Sequence, residues 1–142
     1  MDGTIADLYG VENWLDYLQA SDPYPYMAAG VMHNMSILAR YLNKLQRAGY
    51  QLGIISWLSK NSTPEYDEAV IAAKLSWLNQ HLKSVHWDII HIVANGTCKD
   101  NYRLNLKDIL FDDEARNRNN WQGESYTPEE MMEVLKKLVM ET

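Results

Sequence analysis

An α/β fold with a parallel sheet is predicted by three observations. Short β-branched and apolar runs, "LGIISW", "IIHIVA" and "DILF", alternate with long helical patterns, which is the order of a parallel sheet crossed by helices. The runs lack polar alternation, as strands covered on both faces do. Each is followed by chemically loaded residues: Ser56, the loop "NGTCKD", and Asp112 with Asp113. In open α/β sheets ligands lie at those carboxyl ends. With 142 residues and no internal repeat, positions 1–142 make one domain with one core.

The elements follow in chain order. "GVENWLDYLQ" places Val11, Trp14, Leu15 and Leu18 on one side of an amphipathic helix, and "ASDPYPYMAAGVM" is broken by Pro23 and Pro25 and rich in tyrosine. Residues about 11–33 read either as a small cap over the sheet's edge or as a connecting loop with packed aromatics. From Asn34, Met35, Leu38, Leu42 and Leu45 recur at helical spacing up to "RAGY", where Gly49 suits the left-handed residue that closes a helix. A strand through Ile54 and Ile55 follows. Thr63 then caps a second long helix with Pro64 at its first position and Val70, Ala73, Leu78 and Leu82 as its apolar stripe. "WDIIHIVANG" is a second strand, closed by Asn95 and Gly96, and "DILFDD" a third that ends in acid. Thr127 and Glu130 form a capping box that opens the last helix.

Composition bounds the function. The chain is 46% hydrophobic and 23% charged, as ordinary globular proteins are. Its net charge of -6 argues against a nucleic-acid footprint, so an anionic ligand must be small and locally bound. The apolar runs are far too short to cross a bilayer. A lone Cys98 and no apolar leader point to a reducing, cytoplasmic setting. A homo-oligomer stays open.

Two adjacent carboxylates at the end of a buried strand, Asp112 and Asp113 in "LFDDEARN", raise each other's pKa unless a cation or solvent relieves them. Mg²⁺ suits them, a hard ion that takes carboxylate oxygen and keeps waters for substrate phosphate. The plain alternative is a turn in which Asp113 caps and Asp112 is solvated. Ser56 offers a hydroxyl to a phosphate oxygen, although serine at a strand end is common for dull reasons. Lys99, placed beside the acids, would hold phosphate and offset their charge. Cys98 has no His partner and reads as a small filler thiol, while His33, His81, His86 and His91 lack metal spacing. Asn117 is suited to orienting a metal ligand, and Trp121 to packing.

The opening "DGT" with Asp7, a strand ending in Ser56, a lysine, and a strand ending in "DD" stand in the order of the four motifs of the haloacid dehalogenase-like (HAD) hydrolases. The chain resembles most the 5'(3')-deoxyribonucleotidase-like branch, in "MDGTIADLYG", in "KLSWLNQHL" and in the lysine loop before apolar-Asp-Asp, from Asp2 to about Trp121. The resemblance implies a Rossmann-like three-layer parallel sheet with a small helical cap, and a Mg²⁺-dependent phosphomonoester hydrolase acting through an aspartyl-phosphate. A small phosphorylated substrate, of which nucleotides are one class, follows. By position, Asp2 corresponds to the acid/base aspartate whose carbonyl also touches Mg²⁺. Gly3, Thr4, Ser56 and Trp57 fall in the phosphate-binding motifs, Lys99 is the lysine that steadies nucleophile and phosphate, and Asp112 and Asp113 are the metal acids.

One departure is large. The family's nucleophilic Asp stands two positions before Asp2, a position this chain does not have, and the strand that carries it is missing too. That strand is central in the family, and several large buried residues at ~1.5–3 kcal/mol each would exceed a typical domain's stability. The chain as written is therefore expected to fold poorly alone. Three explanations compete: a start assigned to an internal Met, which we expect; a nucleophile-less relative that only binds phosphorylated ligands or a partner; and a strand donated by a partner or a second copy.

Overall fold

The computed structural model describes all 142 residues. In chain order they form β1 (Ala6–Asp7), α1 (Trp14–Gln19), α2 (Tyr24–Ala28), β2 (Gly30–Val31), α3 (Met35–Arg47), β3 (Gly53–Trp57), α4 (Pro64–His81), β4 (Ile89–Val93), β5 (Leu110–Phe111), α5 (Ala115–Asn120), β6 (Ser125–Tyr126) and α6 (Pro128–Met140).

The three long helices form where caps and stripes demand. Asn34 accepts from the Ile37 N–H, Thr63 from the Tyr66 N–H, and Thr127 and Glu130 close a capping box, so each helix start has an orphan donor met by a side chain. Gly49, at φ 107°, takes the left-handed conformation after α3 that a side chain resists. Leu38, Leu42 and Leu45 of α3, Trp77 and Leu78 of α4 with Leu82 just past its end, and Met131 and Leu135 of α6 build the main core with Ile5, Ala6 and Ile54. A second cluster joins Leu8 and Tyr26 to Tyr66, Val70 and Ala73, and it docks the segment before α3 onto α4.

The fold is mixed α/β, and its strands pair as three two-stranded sheets. β3 runs parallel to β4, from Gly53 beside Ile89 to Trp57 beside Val93. β5 runs parallel to β6, and β1 antiparallel to β2. The carboxyl ends of β3 and β5 carry Ser56 and Asp112.

Several expectations change. β4 is bonded only to β3, none of its residues is buried and Ile90 is 38% exposed, unlike a strand covered on both faces. Pro23 and Pro25 do not break the chain. Pro23 caps α2 and Pro25 lies in its first turn, where a missing N–H costs nothing. α5, "ARNRNN", has no apolar stripe to announce it, and the two-residue β1, β2 and β6 are set by long-range pairing that short runs do not encode. Cys98 is exposed rather than a core filler.

Candidate active site

Met1 to Ala6 form a tight turn in which the Met1 carbonyl accepts from the N–H groups of Thr4, Ile5 and Ala6. This turn leaves Asp2 at the wall of a cavity of about 860 Å³, which Ser56, Trp57, Lys99, Asp112 and Asp113 also line. Residues from four distant segments thus meet in one place. Tyr9, Trp14, Leu15, Leu18 and Tyr26 also line the cavity, so α1 presents apolar side chains to it and buries none of them in the core.

Lys99 starts a short 3-10 turn after β4, and its Nζ donates to Asp112 Oδ2 at 2.6 Å. Both residues are buried. Asp112 also accepts from the Glu114 N–H at 2.9 Å and from Asn117 Nδ2 at 3.2 Å. Burial alone would push the Asp112 carboxyl up, but the Lys99 ammonium and the Glu114 N–H hold it below the usual carboxylate range. Asn117 orients an acid, and Trp121 packs in the core with its indole N–H on the Asp108 carbonyl.

Asp113 is arranged differently. No side chain or cation pairs with its carboxyl; the residue is exposed, and the desolvation its carboxyl still suffers together with the Asp112 charge pushes its pKa up. It lies on the bare backbone of Gly3, whose φ of 74° suits glycine and where a Cβ would run into the Asp113 carboxylate. Asp113 offers oxygen of the kind that Mg²⁺ takes, while both oxygens of Asp112 already accept hydrogen bonds, from Lys99, Asn117 and the Glu114 N–H. Asp113, Asp112 and the Asp2 carbonyl are the residues that would hold it.

Gly3 and Thr4 stand outside the cavity's lining. The Gly3 N–H donates to Ala6 and the Thr4 N–H to Met1, so neither amide is free for a ligand, and the Thr4 hydroxyl is buried without a partner. The Trp57 indole N–H bonds the Thr97 carbonyl at 2.9 Å. Its ring lies under Lys99 and Arg116, at 5.5 and 5.0 Å, so Trp57 bears two cations at the cavity's floor.

Sequence reasoning missed Lys74. It is wholly buried, and its Nζ lies 2.9 Å from Asp2 Oδ2 and 2.6 Å from both Ser56 Oγ and the Trp57 carbonyl. Burial pushes its pKa down against the opposing pull of Asp2. The signal was present: Lys74 falls one turn after Val70 and one turn before Leu78, inside the apolar stripe of α4, where an unpaired lysine is not tolerated.

Compared with models of known protein families, with curated proteins and with solved structures, the chain matches none. No helix is long and apolar enough to cross a membrane.

Proposed function

We propose that this chain is a HAD-like, Mg²⁺-dependent phosphomonoester hydrolase of nucleotidase type, with β3–β4 and β5–β6 as the two flanks of one three-layer parallel sheet. The observation that carries the reading is the meeting of Asp2, Ser56, Lys99, Asp112 and Asp113 around one cavity. Such a set offers what a phosphoryl group needs: a hydroxyl donor, a lysine, two acids for a cation, and an acid/base carboxylate.

Ser56 donates to a phosphoryl oxygen, and Lys99 faces the same oxygens while neutralising Asp112. Asp2 gives a proton to the leaving oxygen as the P–O bond breaks, then takes one from the water that releases phosphate. Bound Mg²⁺ would offset the phosphoryl charge. In the family that the chain resembles, attack on phosphorus belongs to a carboxylate two positions before the residue that Asp2 matches, and its oxygen would bond phosphorus, giving an aspartyl-phosphate as the leaving oxygen departs. Tyr9, Trp14, Tyr26 and Trp57 around the cavity suit a leaving group with a flat apolar part, such as a nucleoside.

A second reading, a phosphate-binding protein without turnover, is favoured by one observation. Within 1–142, Asp2 is tied to Lys74 and Asp112 to Lys99, so two of the carboxylates that line the cavity are held in ion pairs rather than free to attack. The test compares residues 1–142 with a chain carrying the preceding strand and an Asp two positions before Asp2. Both are expected to bind inorganic phosphate in Mg²⁺ by calorimetry, and the longer one alone to hydrolyse p-nitrophenyl phosphate. Absence of phosphate binding in both overturns the phosphatase reading; binding without turnover in both leaves the second.

A further inference from the structure

We propose that Lys74 is a positioning residue: it holds Ser56 as a one-way hydrogen-bond donor into the cavity and fixes the Asp2 carboxylate beside it. The inference rests on the phosphoryl-site reading above and adds a residue that never touches the ligand. Lys74 is 0% exposed, and the Tyr26 ring, 5.1 Å from its Nζ, covers it on the side of the cap. The ammonium therefore cannot reach a substrate. An ammonium has three protons and no acceptor, and Lys74 has three oxygen partners, Asp2 Oδ2, Ser56 Oγ and the Trp57 carbonyl, so each proton is spent.

The consequence for Ser56 is directional. A hydroxyl that accepts from an ammonium at 2.6 Å keeps one proton of its own to give, and Ser56 is itself buried at the cavity's wall. That proton goes to an oxygen in the cavity. Ser56 thus selects a ligand atom that accepts, as phosphoryl oxygens do. Asp2 is held by one carboxylate oxygen, which leaves Oδ1 for a ligand. One lysine on α4 thereby sets two side chains that come from the turn after Met1 and from β3. It also grips the Trp57 carbonyl, so the end of β3 moves with them.

The experiment is a double-mutant cycle on the full chain, read by calorimetric titration with inorganic phosphate in Mg²⁺. Ser56→Ala and Lys74→Met are each expected to weaken phosphate about tenfold or more, the scale of one charge-assisted hydrogen bond. The double variant is expected to be no weaker than the weaker single one. Val70→Ala, one turn away in the same helix, should lower thermal stability while leaving phosphate affinity unchanged, which separates positioning from mere support of the fold. If Lys74→Met does not fold, Lys74→Gln replaces it in the cycle. Full additivity, or a Lys74 variant that binds phosphate as wild type does while Ser56→Ala weakens it, overturns the positioning role and leaves the phosphate site standing. A wild-type chain that binds no phosphate overturns both.

Discussion

The Lys99 ammonium and the Asp112 carboxylate lie 2.6 Å apart, both buried, one opening the turn that follows β4 and the other directly after β5. Breaking such a pair from one side leaves a lone buried charge, which costs ~3–5 kcal/mol, whereas removing both partners costs much less. Lys99→Met is therefore expected to destabilise strongly, and Lys99→Met with Asp112→Asn to recover a large part of the loss. Urea unfolding of the four chains checks this, and simple additivity would show the two residues to be uncoupled.

Asp112 and Asp113 are neighbours with opposite pH behaviour. The pKa of Asp112 is lowered in the fold, so its contribution to stability is present above the unfolded value of ~3.9 and is lost as pH falls through the lower folded value. The pKa of Asp113 is raised, so its carboxylate opposes folding, by an amount that is absent at low pH and grows as pH rises through the raised value. Without metal at pH 7, Asp113→Asn should raise the melting temperature and Asp112→Asn lower it. Both differences should fade in acid. The same Asp113→Asn chain should lose the stabilisation that added Mg²⁺ gives wild type, and a retained Mg²⁺ shift would remove Asp113 from the metal set.

Trp77 ties the segment before α3 to the core. It is 1% exposed, and its indole N–H donates to the Ala29 carbonyl at 2.8 Å. Trp77→Phe keeps most of the apolar area but strands that carbonyl, at ~1–3 kcal/mol. Trp77→Ala adds a cavity and should cost ~3–5 kcal/mol. Denaturant midpoints are expected to fall in that order. Equal losses would show that the hydrogen bond to Ala29 carries nothing.

The parts of the molecule that were legible in sequence are those specified within a few residues. Thr63 and Thr127 cap the helices that the sequence assigns them, because a capping bond reaches only three positions. Ser56, Lys99, Asp112 and Asp113 line one cavity although β3–β4 and β5–β6 pair as separate two-stranded sheets. What was hidden depends on distant pairing. β6 exists through β5, and the segment before α3 docks through the contact of Tyr26 and Leu8 with α4. Lys74 was read past because lysine signals solvent. Its burial makes sense only once Asp2 and Ser56, far apart in the chain, are seen around it.

Gly3 and Gly49 share a positive φ, of 74° and 107°, and differ in what surrounds them. An alanine in a left-handed conformation costs ~1–2 kcal/mol of backbone strain at either position. At Gly49 a Cβ would meet open space, so the strain is the whole effect. At Gly3 the Cβ would run into the Asp113 carboxylate, and the acid must move off the backbone it rests on. Gly49→Ala is thus expected to lower stability by that amount and leave Mg²⁺ binding as in wild type. Gly3→Ala should lower stability further and weaken Mg²⁺ at least tenfold by calorimetry, since one carboxylate of the pair is displaced. Unchanged Mg²⁺ affinity in Gly3→Ala would mean that the cation does not depend on where Asp113 now sits.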